Sequence, residues 1–213
     1  MAQALDDLLD SLEDADDATR EEAAKALAEL ANPATLDALI GACGDEFWSV
    51  RTRAGWGVAK IGGPKAIEAL IVLFNDPIME VRNEAVAAVV SLGAGQLDRL
   101  LAAMKDERWR VREHAAKACG DLHDSGAVDA LIFACRDRDG AVKSAAAEAL
   151  GKIGDPKAIP ALVKLFRDSS KIVRETAGIA LVAIGQPSVD LLLETLKDKD
   201  FVVRCHAARA LGG

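Results

Sequence analysis

The sequence predicts an all-α protein, an α-solenoid of seven two-helix repeats that fills residues 1–213 as a single domain. Three observations carry this. Hydrophobic residues make up 51% of the chain and aromatics only 4%, so the apolar content is mostly Ala, Leu, Val and Ile. Ala and Leu are strong helix formers. A basic residue, usually in a Val-Arg pair, stands at positions 20, 51, 82, 112, 143, 174 and 204, thirty or thirty-one residues apart. Self-similarity at such a period marks stacked supersecondary units. Within each period two apolar runs with helical spacing flank a polar turn.

The copies agree column by column. Six residues before each basic residue stands an aspartate (Asp14, Asp45, Asp76, Asp106, Asp137, Asp168, Asp198). Three residues after it stands an alanine (Ala23, Ala54, Ala85, Ala115, Ala146, Ala177, Ala207). Residues 155–185 show the plan of one repeat. Asp155 suits an N-cap and Pro156 the first helical position. Ile159, Leu162, Val163, Leu165 and Phe166 form an apolar stripe, and residues 168–171 turn the chain. A second helix presents Val173, Ala177, Ala180, Leu181 and Ile184, and Gly185 ends it with a left-handed residue. The repeats fall near 1–31, 32–62, 63–93, 94–123, 124–154, 155–185 and 186–213. One hairpin cannot bury both faces, whereas stacked hairpins can. The alanines then let second helices approach closely. The Asp and Arg columns predict a ladder of charged hydrogen bonds between turn and helix, within or between repeats.

The pattern D-P-x-A-I-x-A-L-x-x-L-F-x-D…V-R-x-x-A-x-x-A-L-x-x-I-G, clearest in residues 63–93 and 155–185, resembles the short HEAT-like repeats first named from phycobilisome bilin lyases. The resemblance implies a right-handed armadillo/HEAT-like superhelix whose second helices line a concave binding side. It is specific for fold, because such repeats serve scaffolds, chaperone-like adaptors and a few enzymes.

Charge and motifs exclude several functions. The chain carries 26 basic and 34 acidic residues, and residues 1–31, with ten acids and two bases, account for the whole net charge of −8. With no basic field to hold a phosphate backbone, nucleic acid is disfavoured as a partner. The acidic first repeat lacks Pro and Gly punctuation, as suits a solvated cap; a functional acidic patch is the alternative. At the other end Leu211 and Gly212 match Leu150 and Gly151, so either the chain is part of a longer array or its last helix is short. The opening MAQALDDLLDSLEDADD lacks the basic and apolar regions of a signal peptide. The longest uncharged run, 14 residues between Glu175 and Asp190, falls short of the roughly 18 of a membrane span. Cys43, Cys119, Cys135 and Cys205 form no CxxC pair, which fits a reducing, cytoplasmic setting.

No GxSxG, P-loop or HExxH motif occurs, so no catalytic residue, metal ligand or cofactor is assigned, and a non-enzyme is expected. His123 stands where other repeats have a helix-ending glycine and reads as a solvated cap. His114 and His206 are three repeats apart, too far to share a metal. Deoxyhypusine hydroxylase, a HEAT-like di-iron family with several His-Glu dipeptides, finds no such dipeptide here. Cys43, Cys119 and Cys135 read as core residues. The neighbours Cys205 and His206 leave open a thiol or metal role beside that of an ordinary exposed pair.

Removing the core columns leaves positions −3, −2, +1, +2, +5 and +9 relative to the basic residue. Trp48, Met79, Trp109 and Phe201 stand at −3, Ile172 and Val202 at −2, Trp56 and Ile179 at +5. Trp48, Met79 and Trp109 form a row over three consecutive repeats, surrounded by charged residues of both signs. Tryptophan with arginine and a polar rim is the composition of a protein-binding hot spot. The candidate partner-binding set is Trp48, Arg53, Trp56, Met79, Trp109, Arg110, Glu113, His114 and Lys117. The alternative is that −3 residues pack on a neighbouring turn, although Gly140 and Lys171 at that position show that the fold does not demand an aromatic. The expected function is a non-catalytic scaffold holding a protein or peptide in the groove. A bilin lyase-like subunit or chromophore-handling factor is the alternative, and a HEAT-like nucleic-acid module the third.

Overall fold

A computed structural model describes residues 2–93 and 95–212. Among them the chain forms fourteen α-helices and no strand, which is seven two-helix repeats. It divides into two compact units, Met1–Arg99 and Leu100–Gly213. The first contains α1 (Ala2–Ser11), α2 (Asp17–Leu30), α3 (Leu36–Ala42), α4 (Trp48–Ile61), α5 (Pro64–Leu73) and α6 (Met79–Ser91). The division falls within α7 (Leu97–Ala103). The second unit continues with α8 (Trp109–Asp121), α9 (Val128–Ala134), α10 (Gly140–Ile153), α11 (Ile159–Leu165), α12 (Lys171–Ile184), α13 (Val189–Thr195) and α14 (Phe201–Gly212). Odd-numbered helices are the first of each pair. Within each unit the even-numbered second helices pack on one another, α2 on α4 on α6 and α8 on α10 on α12 on α14.

Four first helices, α3, α9, α11 and α13, follow a 3-10 turn and start later than the pattern predicts, whereas α5 starts at Pro64. Asp155 caps a 3-10 turn, Pro156–Ala158, with its carboxylate accepting from the Lys157 amide at 2.8 Å, and α11 begins only at Ile159. Proline's fixed φ suits this tighter turn as well as it suits an α-helix. Gly185 closes α12 with φ +79° and ψ −140°, positive φ but outside the left-handed helical region expected of it. His123 adopts φ +50° at the end of its repeat and is exposed, and its Nδ1–H donates to the Lys152 carbonyl at 2.8 Å. The side chain therefore satisfies one of the last, otherwise orphaned carbonyls of α10.

The core is made of the predicted columns: Leu27, Val50, Leu70, Phe74 and Val89 in the first unit, Val111, Leu131, Leu150, Leu162, Phe166 and Leu181 in the second. All seven alanines three residues after the basic residue are buried. Second helices also approach closely between the eighth residue after one basic position and the sixth after the next. A Cβ on Gly120 would stand 2.7 Å from Ala149 Cα, one on Gly151 2.8 Å from Ala180 Cα, and one on Gly57 3.0 Å from Ala28 Cβ.

The ladder runs between repeats. Arg20 grips Asp45 at 2.7 and 3.1 Å, Arg51 grips Asp76 at 2.7 and 2.9 Å, and Arg112 grips Asp137 at 2.8 and 2.9 Å. Lys143 pairs with Asp168 in the same way through one ammonium. The third guanidinium nitrogen turns back to its own repeat, Arg51 Nη1 donating to the Asp45 and Glu46 carbonyls at 2.8 and 3.0 Å. Each aspartate also accepts the amide two residues on, as Asp76 does from Ile78 at 2.8 Å, which fixes the turn. Burial pushes the carboxyls of Asp45 and Asp137 up, but the hydrogen bonds from Arg20 and Arg112, those from the Phe47 and Asp139 amides and the nearby guanidinium charges together outweigh it and hold both below the usual carboxylate range. Two rungs differ. Arg82 keeps its turn carbonyls, Asp76 at 2.6 Å and Pro77 at 3.0 Å, while its buried Nε has no partner among the described residues. Arg174 Nε donates to His206 Nε2 at 3.4 Å, and Asp198 pairs with Arg167.

Candidate functional site

In the first unit α2, α4 and α6 enclose a cleft of about 350 Å³ lined by Glu21, Trp48, Ser49, Thr52, Arg53, Trp56, Glu80 and Glu84. Every one stands at an offset of −3, −2, +1, +2 or +5, the positions the core does not use. Trp48 is 46% exposed at the start of α4, and Thr52 Oγ1 donates to its carbonyl one turn later at 3.0 Å. Trp56 is half-buried, and its Nε1–H donates to Glu84 Oε2 at 2.9 Å. Arg53 Nε reaches Glu21 Oε1 at 3.3 Å. Met79 opens α6, exposed, and does not line the cleft. Of the sequence-predicted residues of this unit, Trp48, Arg53 and Trp56 are thus brought together. Glu21 escaped the sequence reading because it belongs to the acidic first repeat, although its +1 offset marks it as open.

In the second unit Trp109 is 37% exposed, and the Arg110 guanidinium lies over its ring at 4.8 Å from the centroid. Lys117 and Glu113 pair along α8 at 2.7 Å. His114 corrects the sequence reading: it is 1% exposed, not open. Its Nδ1 lies 2.7 Å from the Arg110 carbonyl one turn earlier, so the compact ring folds back against the helix instead of projecting from it. This side chain is a core histidine.

A second cleft, of about 470 Å³, lies between α12 and α14 and is lined by Glu175, Gly178, Ile179, Val182, His206, Arg209 and Ala210. Its character is aliphatic, with Ile179 70% exposed. The exposed isoleucine at +5 was the signal in the sequence. His206 stacks on Phe166 with ring centroids 5.6 Å apart, and its Nε2 accepts from Arg174. Burial, followed by the charges of Arg174 and Arg209, holds the ring below the ordinary histidine value. Its nitrogen is committed to this contact, and Cys205 beside it is exposed. Burial pushes the thiols of Cys43, Cys119 and Cys135 up to about 12, which keeps them protonated and unreactive. Among the described residues no group of three or more His, Cys, Asp and Glu could hold a metal ion, and no single helix is long and apolar enough to cross a membrane.

Two-helix repeats stacked through small-residue contacts and an Arg–Asp ladder define an α-solenoid. The family model for HEAT repeats matches residues 5–90, 97–182 and 164–213, and the chain belongs to that family. No curated protein matches the chain. Among solved structures it is similar to the CpcE–CpcF complex of phycocyanin lyase from Nostoc sp. PCC7120, at 25% identity over 69% of this chain and 98% of that chain, with a TM-score of 0.58. It is also similar to yeast importin-β (Kap95p), at 15% identity over 99% of this chain and 35% of that chain, with a TM-score of 0.66. A further importin-β structure, from an ammonium sulfate condition, aligns at 14% identity over 97% and 35%, with a TM-score of 0.68. The importin likenesses show the fold alone.

Proposed function

We propose that this protein is a non-catalytic interaction scaffold that binds a protein or peptide on its second-helix face. The observation that supports this most directly is the first-unit cleft. All eight of its lining residues come from positions free of the core, and two are tryptophans. An exposed indole that no core column requires is the kind of residue that anchors interfaces. Trp48, Arg53, Trp56 and Met79 form the contact set of the first unit; Trp109, Arg110, Glu113 and Lys117 are its counterparts in the second. The test compares wild-type protein with the Trp48→Ala/Trp56→Ala and Trp109→Ala variants in partner capture, with circular dichroism confirming the fold. Unchanged capture by folded variants sinks the assignment.

The likeness to CpcE–CpcF favours a second reading, a chromophore-handling subunit. It rests on repeat-level similarity. Mixing the protein with a bilin and an apo-phycobiliprotein, and seeing neither binding nor transfer, removes it.

A further inference from the structure

We propose that the first-unit cleft is a receptor for a basic peptide segment, with an arginine side chain of the partner seated between Trp48, Trp56 and the carboxylates of Glu80 and Glu84. This deepens the scaffold reading and rests on it. The charges in the cleft do not balance. Arg53 compensates Glu21 at 3.3 Å. Among the described residues Glu84 receives only the neutral indole N–H of Trp56 at 2.9 Å, which orients the carboxylate without neutralising it. Glu80, one turn earlier on α6, has no ion-pair or hydrogen-bond partner among the described residues.

The aromatic faces are equally unoccupied. Trp109 in the second unit carries the Arg110 guanidinium over its ring at 4.8 Å, whereas among the described residues no cation of the protein stands over Trp48 or Trp56. An indole face attracts a cation through its quadrupole, most strongly when desolvated. A guanidinium is planar, so it can stack on an indole while presenting two N–H groups to a carboxylate; an ammonium does the second only as a point charge. A cleft of about 350 Å³ with two such walls and two uncompensated carboxylates has the chemistry of an arginine receptor. The field around it has the matching sign. Residues 1–99 contain eighteen acidic and eight basic residues, net −10, and residues 100–213 sixteen acidic and eighteen basic, net +2. A negative first unit draws a positive segment toward this cleft and repels a phosphate backbone.

The experiment uses the full chain against an arrayed peptide library that runs from net basic to net acidic. Peptides it retains are titrated by fluorescence anisotropy with intrinsic tryptophan emission read in parallel. Retained peptides are expected to be arginine-containing, to perturb tryptophan emission and to weaken as salt is raised. Replacing their arginine by citrulline, which keeps the shape and removes the charge, is expected to weaken binding roughly tenfold, and Glu80→Gln/Glu84→Gln to do the same. Both glutamates are exposed, so this variant keeps the fold where Trp48→Ala/Trp56→Ala perturbs packing. Retention of neutral or acidic peptides that perturb the same tryptophans overturns the basic-segment proposal and leaves the scaffold reading standing. Retention of no peptide, or equal binding of arginine and citrulline forms, overturns the proposal as well. Tight, salt-sensitive capture of an oligonucleotide in a parallel arm overturns it in favour of another class of partner.

Discussion

The two units share their buried columns and differ in what they show to solvent. At −3 both carry a tryptophan, Trp48 in the first and Trp109 in the second, yet Arg110 covers the Trp109 ring and, among the described residues, no cation covers that of Trp48. At +2 the first unit has Glu22, Arg53 and Glu84, all exposed, while the second has His114 and Ala145, both buried, and Thr176 and His206, both half-buried. Between second helices one unit has an aromatic, acidic cleft and the other an aliphatic one. The same backbone therefore supports different recognition chemistry, because stacking constrains only the columns that touch the next repeat.

The largest effect that can test this comparison is expected in the ladder. Asp76→Ala leaves the buried Arg51 guanidinium without its carboxylate and is expected to cost about 3–5 kcal/mol. Asp168→Ala in the second unit is expected to cost less, because Lys143 has a flexible stem that can carry its charge to water. Equilibrium urea unfolding of both variants measures the difference, and equal losses mean that the extra bonds of the guanidinium contribute nothing.

Overpacking comes next. Gly120→Ala forces a methyl onto the Ala149 backbone and is expected to destabilise by roughly 1–3 kcal/mol. Gly57→Ala meets the movable tip of Leu39 at 2.9 Å and Ala28 only at 3.0 Å (Cβ) and 3.2 Å (Cα), looser than the 2.7 Å to backbone at Gly120, and is expected to cost less. Differential scanning calorimetry of the pair reads this, and an inverted order means that the helices of the first unit are the more tightly fixed. In the opposite direction, Gly178→Ala fills ordinary space, 3.8 Å from Phe166, and is expected to stabilise α12 by about 0.5–1 kcal/mol while narrowing the aliphatic cleft. A lower melting temperature for this variant contradicts the geometry.

The smallest effect is the histidine-linked pH dependence, which belongs to the second unit, since the first has no histidine. The folded state holds His206 below its ordinary value of 6.5, so the unfolded chain binds the proton more readily. The stability due to neutral His206 is complete above that value and is lost as pH falls through the lowered one. His206→Gln is expected to flatten this slope in melting curves recorded across that window. An unchanged slope removes His206 as its source.

Much of this architecture was legible in the residues. Repeat length, helix pairing, the buried columns and the open offsets of the first-unit cleft follow from a period of thirty or thirty-one and from which positions stay small or apolar. Three things were not. The column pattern showed that Arg and Asp belong together but not that Arg20, Arg51 and Arg112 reach the next repeat, because a column is silent on which copy supplies the partner. A close helix contact at Gly120–Ala149 and its equivalents was not singled out beside the alanine column, because both sets are small and a pattern of small residues does not give helix separation. His114 shares an offset with Arg53 but not its surroundings, because a short ring can bond back to its own helix where a long guanidinium extends away.

The reach of the Arg20, Arg51 and Arg112 guanidinium groups to the next repeat also sets the unit in which this chain can be lengthened or shortened. Excising residues 124–154 brings Arg112 into register with Asp168, so the deletion costs one storey and no charge is stranded. Cutting out a few residues more or fewer takes Asp168 out of register with Arg112 at the junction. The electrostatic seam thus works as a ruler, rewarding growth and loss by whole repeats and penalising any other length.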